Sequence, residues 1–203
     1  MFDSIFETVF LLGLVAGSVI RARWTLPYRK QARKILVVDR RMNWLEWPLL
    51  TLAGVGMQIV PLVYLFTSWF DFADYYLPRW LSQAVGWTGA AVFAGALWLL
   101  WRSHADLGRN WSAFVEVREG QWLVTQGVYG HIRHPMYAAH LLWTVAQALL
   151  LQNWIAGPAF LVVFLPLYLL RVPREEQMML ASFGEDYRSY VKRTGRLIPR
   201  LPR

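Results

Sequence analysis

The chain has 203 residues, of which 56% are apolar, 16% aromatic and only 17% charged, with a net charge of +8. Charge this sparse lies well below the roughly 25% usual for soluble domains, and apolar content this high excludes disorder. Cysteine is absent, which removes disulfides, thiolate catalysis and Cys-ligated metal.

The apolar residues come in blocks, and the blocks predict an all-α integral membrane protein with about five transmembrane helices. The first block is 2–20, with Asp3 and Glu7 near its start, where a helix N-terminus tolerates acids. Its acidic start, with no small-x-small cleavage site after it, argues against a secretory signal. The second block, 47–70, carries Pro61, which should kink it. The third, 81–101, offers Gly86, Gly89, Ala90, Ala94 and Gly95 as a small face for close helix contact. Each is near the ~20 residues that cross a hydrocarbon core of ~30 Å.

Residues 138–152 and 154–170 are shorter, with Gln152-Asn153 between them and Pro158 and Pro166 interrupting the second. They are expected to form a short helical hairpin whose legs just span, or one long hairpin buried inside the bundle. Trp24, Trp44, Trp47, Trp69, Trp80, Trp101 and Trp154 lie at the ends of runs, as an interfacial belt would place them. A cytosolic C-terminal helix follows from 174 to about 193, with Met178, Met179, Phe183, Tyr187 and Tyr190 as a packing face on the membrane.

Charge sets the expected orientation. Segment 21–41 holds eight basic residues against Asp39, segment 102–136 four against Asp106, Glu116 and Glu119, and the tail 171–203 eight against four acids. Segment 71–80 has Asp71 and Asp74 against Arg79. With five crossings the three net-positive segments share one side, which puts the N-terminus outside and the tail in the cytosol. The chain divides accordingly into a three-helix membrane region, 1–101, with a basic cytosolic loop at 21–46, and a catalytic region, 102–203. The latter comprises a cytosolic loop, the hairpin 137–170 and the tail 171–203.

The spans hold almost no ionisable group except His140, which gives ion conduction little support. Chemistry should therefore sit at the cytosolic membrane surface. The densest cluster is Gly127-Val128-Tyr129-Gly130-His131-Ile132-Arg133-His134-Pro135-Met136-Tyr137. Pro135 suits the first position of a helix whose free amides then favour an anionic group. His131, His134 and His140 lack the i, i+4 spacing of a helical metal site, so no metal is expected. A second cluster opens the tail, where Arg171 and Glu175 stand four apart with Glu176 beside them. That spacing places the Arg and Glu on one face, as a carboxylate clamp beside an acid.

These motifs resemble the isoprenylcysteine carboxyl methyltransferase family, in a wider group that includes the phospholipid N-methyltransferases. The resemblance rests on Gly127-Val128-Tyr129, Arg133-His134-Pro135-Met136-Tyr137, Arg171 with Glu175-Glu176, and Phe183-Gly184-Glu185-Asp186-Tyr187. It covers roughly residues 100–200. It implies S-adenosyl-L-methionine as methyl donor, with S-adenosyl-L-homocysteine as product, bound without a Rossmann fold. It also implies a lipid-like or prenylated acceptor reached from the bilayer, with no nucleic acid. Carried onto this sequence, it assigns the cofactor to Gln121, Trp122, Leu123, Val124, Tyr129, His134, Pro135, Met136, Tyr137, Glu175 and Glu176. It assigns catalysis to Arg171 and Glu175, and the acceptor to Arg171 and Arg133. Gln121 stands where the family usually has His, so its backbone carries more of the expectation than its side chain. The implied reaction methylates a carboxylate, such as that of a C-terminal isoprenylcysteine; a phospholipid amine or a hydrophobic thiol is the alternative acceptor.

Overall fold

A computed structural model describes residues 5–31, 36–41, 44–112 and 114–200. Asp3, Arg33 and Lys34 lie outside these, as do the side chains of Arg29 and Lys30. Six α-helices carry the architecture: α1 (Ile5–Gln31), α2 (Glu46–Gly54), α3 (Val60–Phe66), α4 (Arg79–Leu107), α5 (Pro135–Leu151) and α6 (Ala159–Arg193). The stretches Ile5–Leu26, Glu46–Phe66 and Arg79–Asn110 are long and apolar enough to cross a membrane, and Pro135–Leu151 is apolar but shorter. The chain is a multi-pass membrane protein of helical fold.

The core is aromatic. Phe10 stacks on Phe93 at 5.5 Å between ring centres, and Phe93 meets Trp143 edge-on at 4.7 Å. Small residues admit these rings: a Cβ on Gly13 would strike Phe93, and one on Gly17 would strike Trp143. The expected small face of α4 divides. Gly86 packs on Phe6 and Gly89 on Leu149 and Leu150, whereas Ala94 and Gly95 turn outward. A helix of 3.6 residues per turn cannot keep all five positions on one neighbour.

Pro61 acts one turn before its own position. Residues Val55–Ile59 form a π-turn joining α2 to α3. Widening the helix there relieves the clash between a proline ring and the carbonyl four residues back. The wholly buried Gln147 donates to the carbonyls of Gly56 (3.0 Å) and Ala156 (2.7 Å), tying the π-turn to the hairpin. Gly56 presses on the backbone of Ala159.

A turn joins α5 to α6, and α6 starts at Ala159 rather than at the expected 154. Gln152 ends α5 in a left-handed conformation (φ 47°). Asn153, fully buried, accepts from the amides of Ile155 and Ala156 and donates to the Phe70 carbonyl and Asp74. The second leg runs on into the tail: α6 passes through both Pro166 and Pro173 and is broken only at Gly184 (φ 50°), a kink that joins two helices. At 1.5 Å per residue the stretch 159–183 is about 37 Å, somewhat longer than a hydrocarbon core of ~30 Å.

The segments gather at two ends. At one, residues 70–82 bind the hairpin turn through Asn153 and through paired Ser82–Gln152 bonds. At the other, the three basic segments join. Strand β1 (Val37–Arg40) pairs antiparallel with β2 (Glu116–Arg118), in the register Arg40 to Glu116. The amides of Arg133 and His134 donate to the carbonyls of Gly195 and Arg196. Six of the seven tryptophans expected at an interface are exposed, but Trp24 turns inward and stacks on His104 at 5.2 Å.

Candidate active site

A cavity of about 540 Å³ opens between α1, α2, α5 and α6, beneath the loop that joins α4 to α5. One wall is apolar, built by Leu50, Ala53, Met57, Phe160, Phe164 and Leu167. The other is polar. It includes Gln121, Trp122, Leu123, Val124, Tyr129, Arg133, His134, Pro135, Met136, Tyr137, Arg171 and Glu175, so the fold brings together every expected site residue except Glu176.

The start of α5 forms one edge. Pro135 takes the first helical position and His134 precedes it with no side-chain cap, which leaves first-turn amides without intrahelical partners. Two residues on, the Tyr137 hydroxyl donates to Glu175 at 2.5 Å. Arg171, one turn before Glu175 on α6, lies 3.7 Å from it. On its other side Arg171 lies 3.6 Å from Glu46, a wholly buried carboxylate at the start of α2 that also pairs with Arg174 at 3.2 Å. A buried acid so placed requires its cations. The chain Tyr137–Glu175–Arg171–Glu46 thus fixes α2, α5 and α6 around the polar wall.

The segment 121–124 is irregular and extended along the same wall. The Gln121 side chain is spent on structure: it accepts from the Arg118 amide and donates to the Asn110 carbonyl, both at 3.0 Å. The Asn110 side chain accepts from the Trp122 amide at 3.0 Å, while its Nδ2 is buried without a partner at the cavity wall. Asp106 receives the Val128 amide at 2.9 Å and Arg102 at 2.6 Å. It fills the space that a Cβ on Gly127 (φ 61°) would need, so glycine is required there on two counts.

Glu176 faces away from the cavity and latches the tail. It accepts from Arg196 (2.5 Å) and Arg133 (3.2 Å) and lies 3.3 Å from His134. Burial raises its carboxyl, but hydrogen bonds from His134 and Arg196 outweigh that and pull it down to about 2. Arg133 spends its remaining donors on the carbonyls of Thr194 (2.5 Å) and Val191 (3.4 Å). A second buried acid, Glu116, accepts from Tyr28, Arg40 and Ser112. Desolvation works against its charge, and those donors still hold it below its ordinary range.

Sequence reasoning passed over Glu46, Asp106, Asn110, His104 and Arg21. The i, i+4 pair Arg102–Asp106 was a legible signal; the others depend on contacts far apart in the chain. Among the described residues no group of three side chains is gathered that could hold a metal ion.

Residues 87–181 match the isoprenylcysteine carboxyl methyltransferase (ICMT) family. The resemblance read from the motifs is thereby shown. The ICMT-like region spans most of α4, α5, the loop between them and most of α6. The chain is 36% identical over 94 residues to protein-S-isoprenylcysteine O-methyltransferase B of Arabidopsis thaliana, covering 45% of this chain and 48% of the relative. It is 34% identical over 106 residues to the cobalt-zinc-cadmium resistance protein CzcN of Cupriavidus metallidurans, covering 52% and 49%. The fold matches the solved structure of a eukaryotic intramembrane Ras methyltransferase, ICMT, with a TM-score of 0.57 and 27% identity, over 78% of this chain and 54% of that one. The chain spans about half the length or less of the curated relatives first matched.

Proposed function

We propose that this chain is a membrane methyltransferase that uses S-adenosyl-L-methionine to methylate the carboxylate of a lipid-like acceptor, such as a C-terminal isoprenylcysteine. The observation that carries the reading is that one cavity is lined by both a polar wall and an apolar wall whose residues include members of an apolar span. A water-soluble donor and a lipid need those two surfaces. The family match and the methyltransferase names of the relatives support it.

The residues present fit the cofactor. Asn110 Nδ2 offers a buried, unsatisfied donor, Glu175 an acid for cationic groups, and Leu123, Met178 and Met179 an apolar bed on the same wall. Trp122, Val124, Tyr129, His134, Pro135, Met136 and Tyr137 would complete the cradle. When bound, the cofactor supplies an electrophilic methyl group on a sulfonium.

A carboxylate is ionised at neutral pH, so the protein need supply no general base. Its work is orientation and exclusion of water. Arg171 is held by Glu46 and Glu175 with its side chain on the cavity, and would orient the acceptor oxygen. Arg133 is committed to the tail and would hold the start of α5 in place. The positive end of the molecule, where segments 21–41, 102–136 and 171–200 meet, would be cytosolic, with the N-terminus outside.

The test is methyl transfer from labelled S-adenosyl-L-methionine by purified protein in detergent. The panel is a farnesylated cysteine, its methyl ester, phosphatidylethanolamine and an alkyl thiol. Label on the free acid and not on the ester is expected. Label on the amine or thiol alone would replace the acceptor by one of those classes.

A further inference from the structure

Two of the three arginines that line the cavity are matched by carboxylates: Arg133 by Glu176, and Arg171 by Glu46 and Glu175. Arg21 differs. It stands on α1 within the span Ile5–Leu26, lines the cavity and keeps exposed surface. Its partners are neutral: Nη1 lies 3.8 Å from the Met57 sulfur and 3.2 Å from Nε2 of His140. His140 Nδ1 lies 2.6 Å from the Met136 carbonyl, so Nδ1 carries the proton and Nε2 accepts from the arginine. Among the described residues no carboxylate lies within ion-pair distance of Arg21.

One turn along α1, Trp24 stacks on His104, whose Nδ1 is buried without a hydrogen-bond partner and which lines the same cavity. An arginine at the end of an apolar run, beside an apolar cavity wall, is stabilised by an anion that meets it. The surroundings supply none, while the adjoining wall is apolar.

We propose that Arg21, held by His140 and with His104 beside it, is the subsite that recognises the acidic group of the lipid-like acceptor. It would distinguish an acid from its neutral ester, whereas Arg171 would orient the oxygen for transfer. The inference rests on the methyltransferase reading for the identity of the acid, a carboxylate. The other source of a carboxylate is the cofactor's own amino-acid end, and the test separates the two.

Binding is measured calorimetrically on full-length protein in detergent, with no turnover, for N-acetyl-S-farnesylcysteine, its methyl ester and S-adenosyl-L-homocysteine. Wild type should bind the acid about tenfold or more tightly than the ester, the effect expected of one charge-assisted contact. Arg21→Gln should abolish that difference, Arg21→Lys should restore part of it, and both should leave S-adenosyl-L-homocysteine affinity unchanged, which also shows that they fold. An unchanged acid–ester ratio in Arg21→Gln, or equal binding of acid and ester by wild type, would overturn the proposal. A selective loss of S-adenosyl-L-homocysteine binding in Arg21→Gln, with the acid–ester ratio intact, would give Arg21 to the cofactor instead. Absence of methyl transfer with the acid–ester difference present would overturn the methyltransferase reading and leave the subsite standing.

Discussion

Arg171 and Glu175 sit one helical turn apart, and the structure gives them different neighbours. Glu175 receives the Tyr137 hydroxyl at the edge of the polar wall, and Arg171 lies between Glu175 and the buried Glu46. Substitutions should separate their proposed roles. Glu175→Gln keeps the size of the side chain and removes its charge, and should weaken S-adenosyl-L-homocysteine binding about tenfold by calorimetry, since hydrogen bonds to charged groups are worth roughly 1.5–3 kcal/mol. Unchanged affinity would remove Glu175 from the cofactor site. Arg171→Ala should lower turnover by roughly 10–100-fold on the same scale, with a smaller effect on that affinity. Glu46 keeps Arg174 as a partner, so the variant retains a charge-matched core. Equal losses of turnover and of cofactor affinity would count against an acceptor role for Arg171.

The tail is latched as an element. Backbone bonds from Arg133 and His134 to Gly195 and Arg196 run alongside the Glu176 cluster. Because Glu176 is held down to about 2 from an ordinary 4.5, its stabilising contribution is complete above about pH 4.5 and is lost as the pH falls toward 2. Hydrogen exchange at the Arg133 and His134 amides, corrected for intrinsic rates, should show protection that holds from neutral pH down to about 4.5 and then declines. Protection unchanged to pH 2 would show that the backbone bonds hold the tail alone. This latch was half legible. Arg133 and Glu176 were both singled out as site residues, but nothing in their spacing shows that they meet each other, because they come from elements 43 residues apart. The turn at Gln152-Asn153 was legible, since a polar pair between two apolar runs has few places to go; the start of the second leg at Ala159 was not. The passage of α6 through Pro166 and Pro173 was not, because a proline inside a helix ordinarily breaks or kinks it.

At the scale of the molecule, charge and contact agree on which segments share an end. The sequence contains no cysteine, so single introduced cysteines report position cleanly. Tyr76→Cys, in an exposed loop at the hairpin end, should react with a membrane-impermeant maleimide in intact cells. Arg188→Cys, exposed on the tail half of α6, should react only after permeabilisation. The reverse pattern would invert the proposed orientation.

Composition and block length alone determined the helical membrane class, because a ~20-residue apolar run has few other stable states in water or lipid. The ordered motifs of 127–137 and 171–187 determined the family resemblance, and the basic blocks predicted the shared end. Only the tertiary structure decided which charges are matched. Arg21 and Arg171 are both arginines at the ends of apolar runs, and no local pattern distinguishes them. One meets two carboxylates brought from α2 and α6, and the other meets a histidine and a methionine. Partnership between charges is set by distances across the fold, and a sequence records those only where the partners are a helical turn apart.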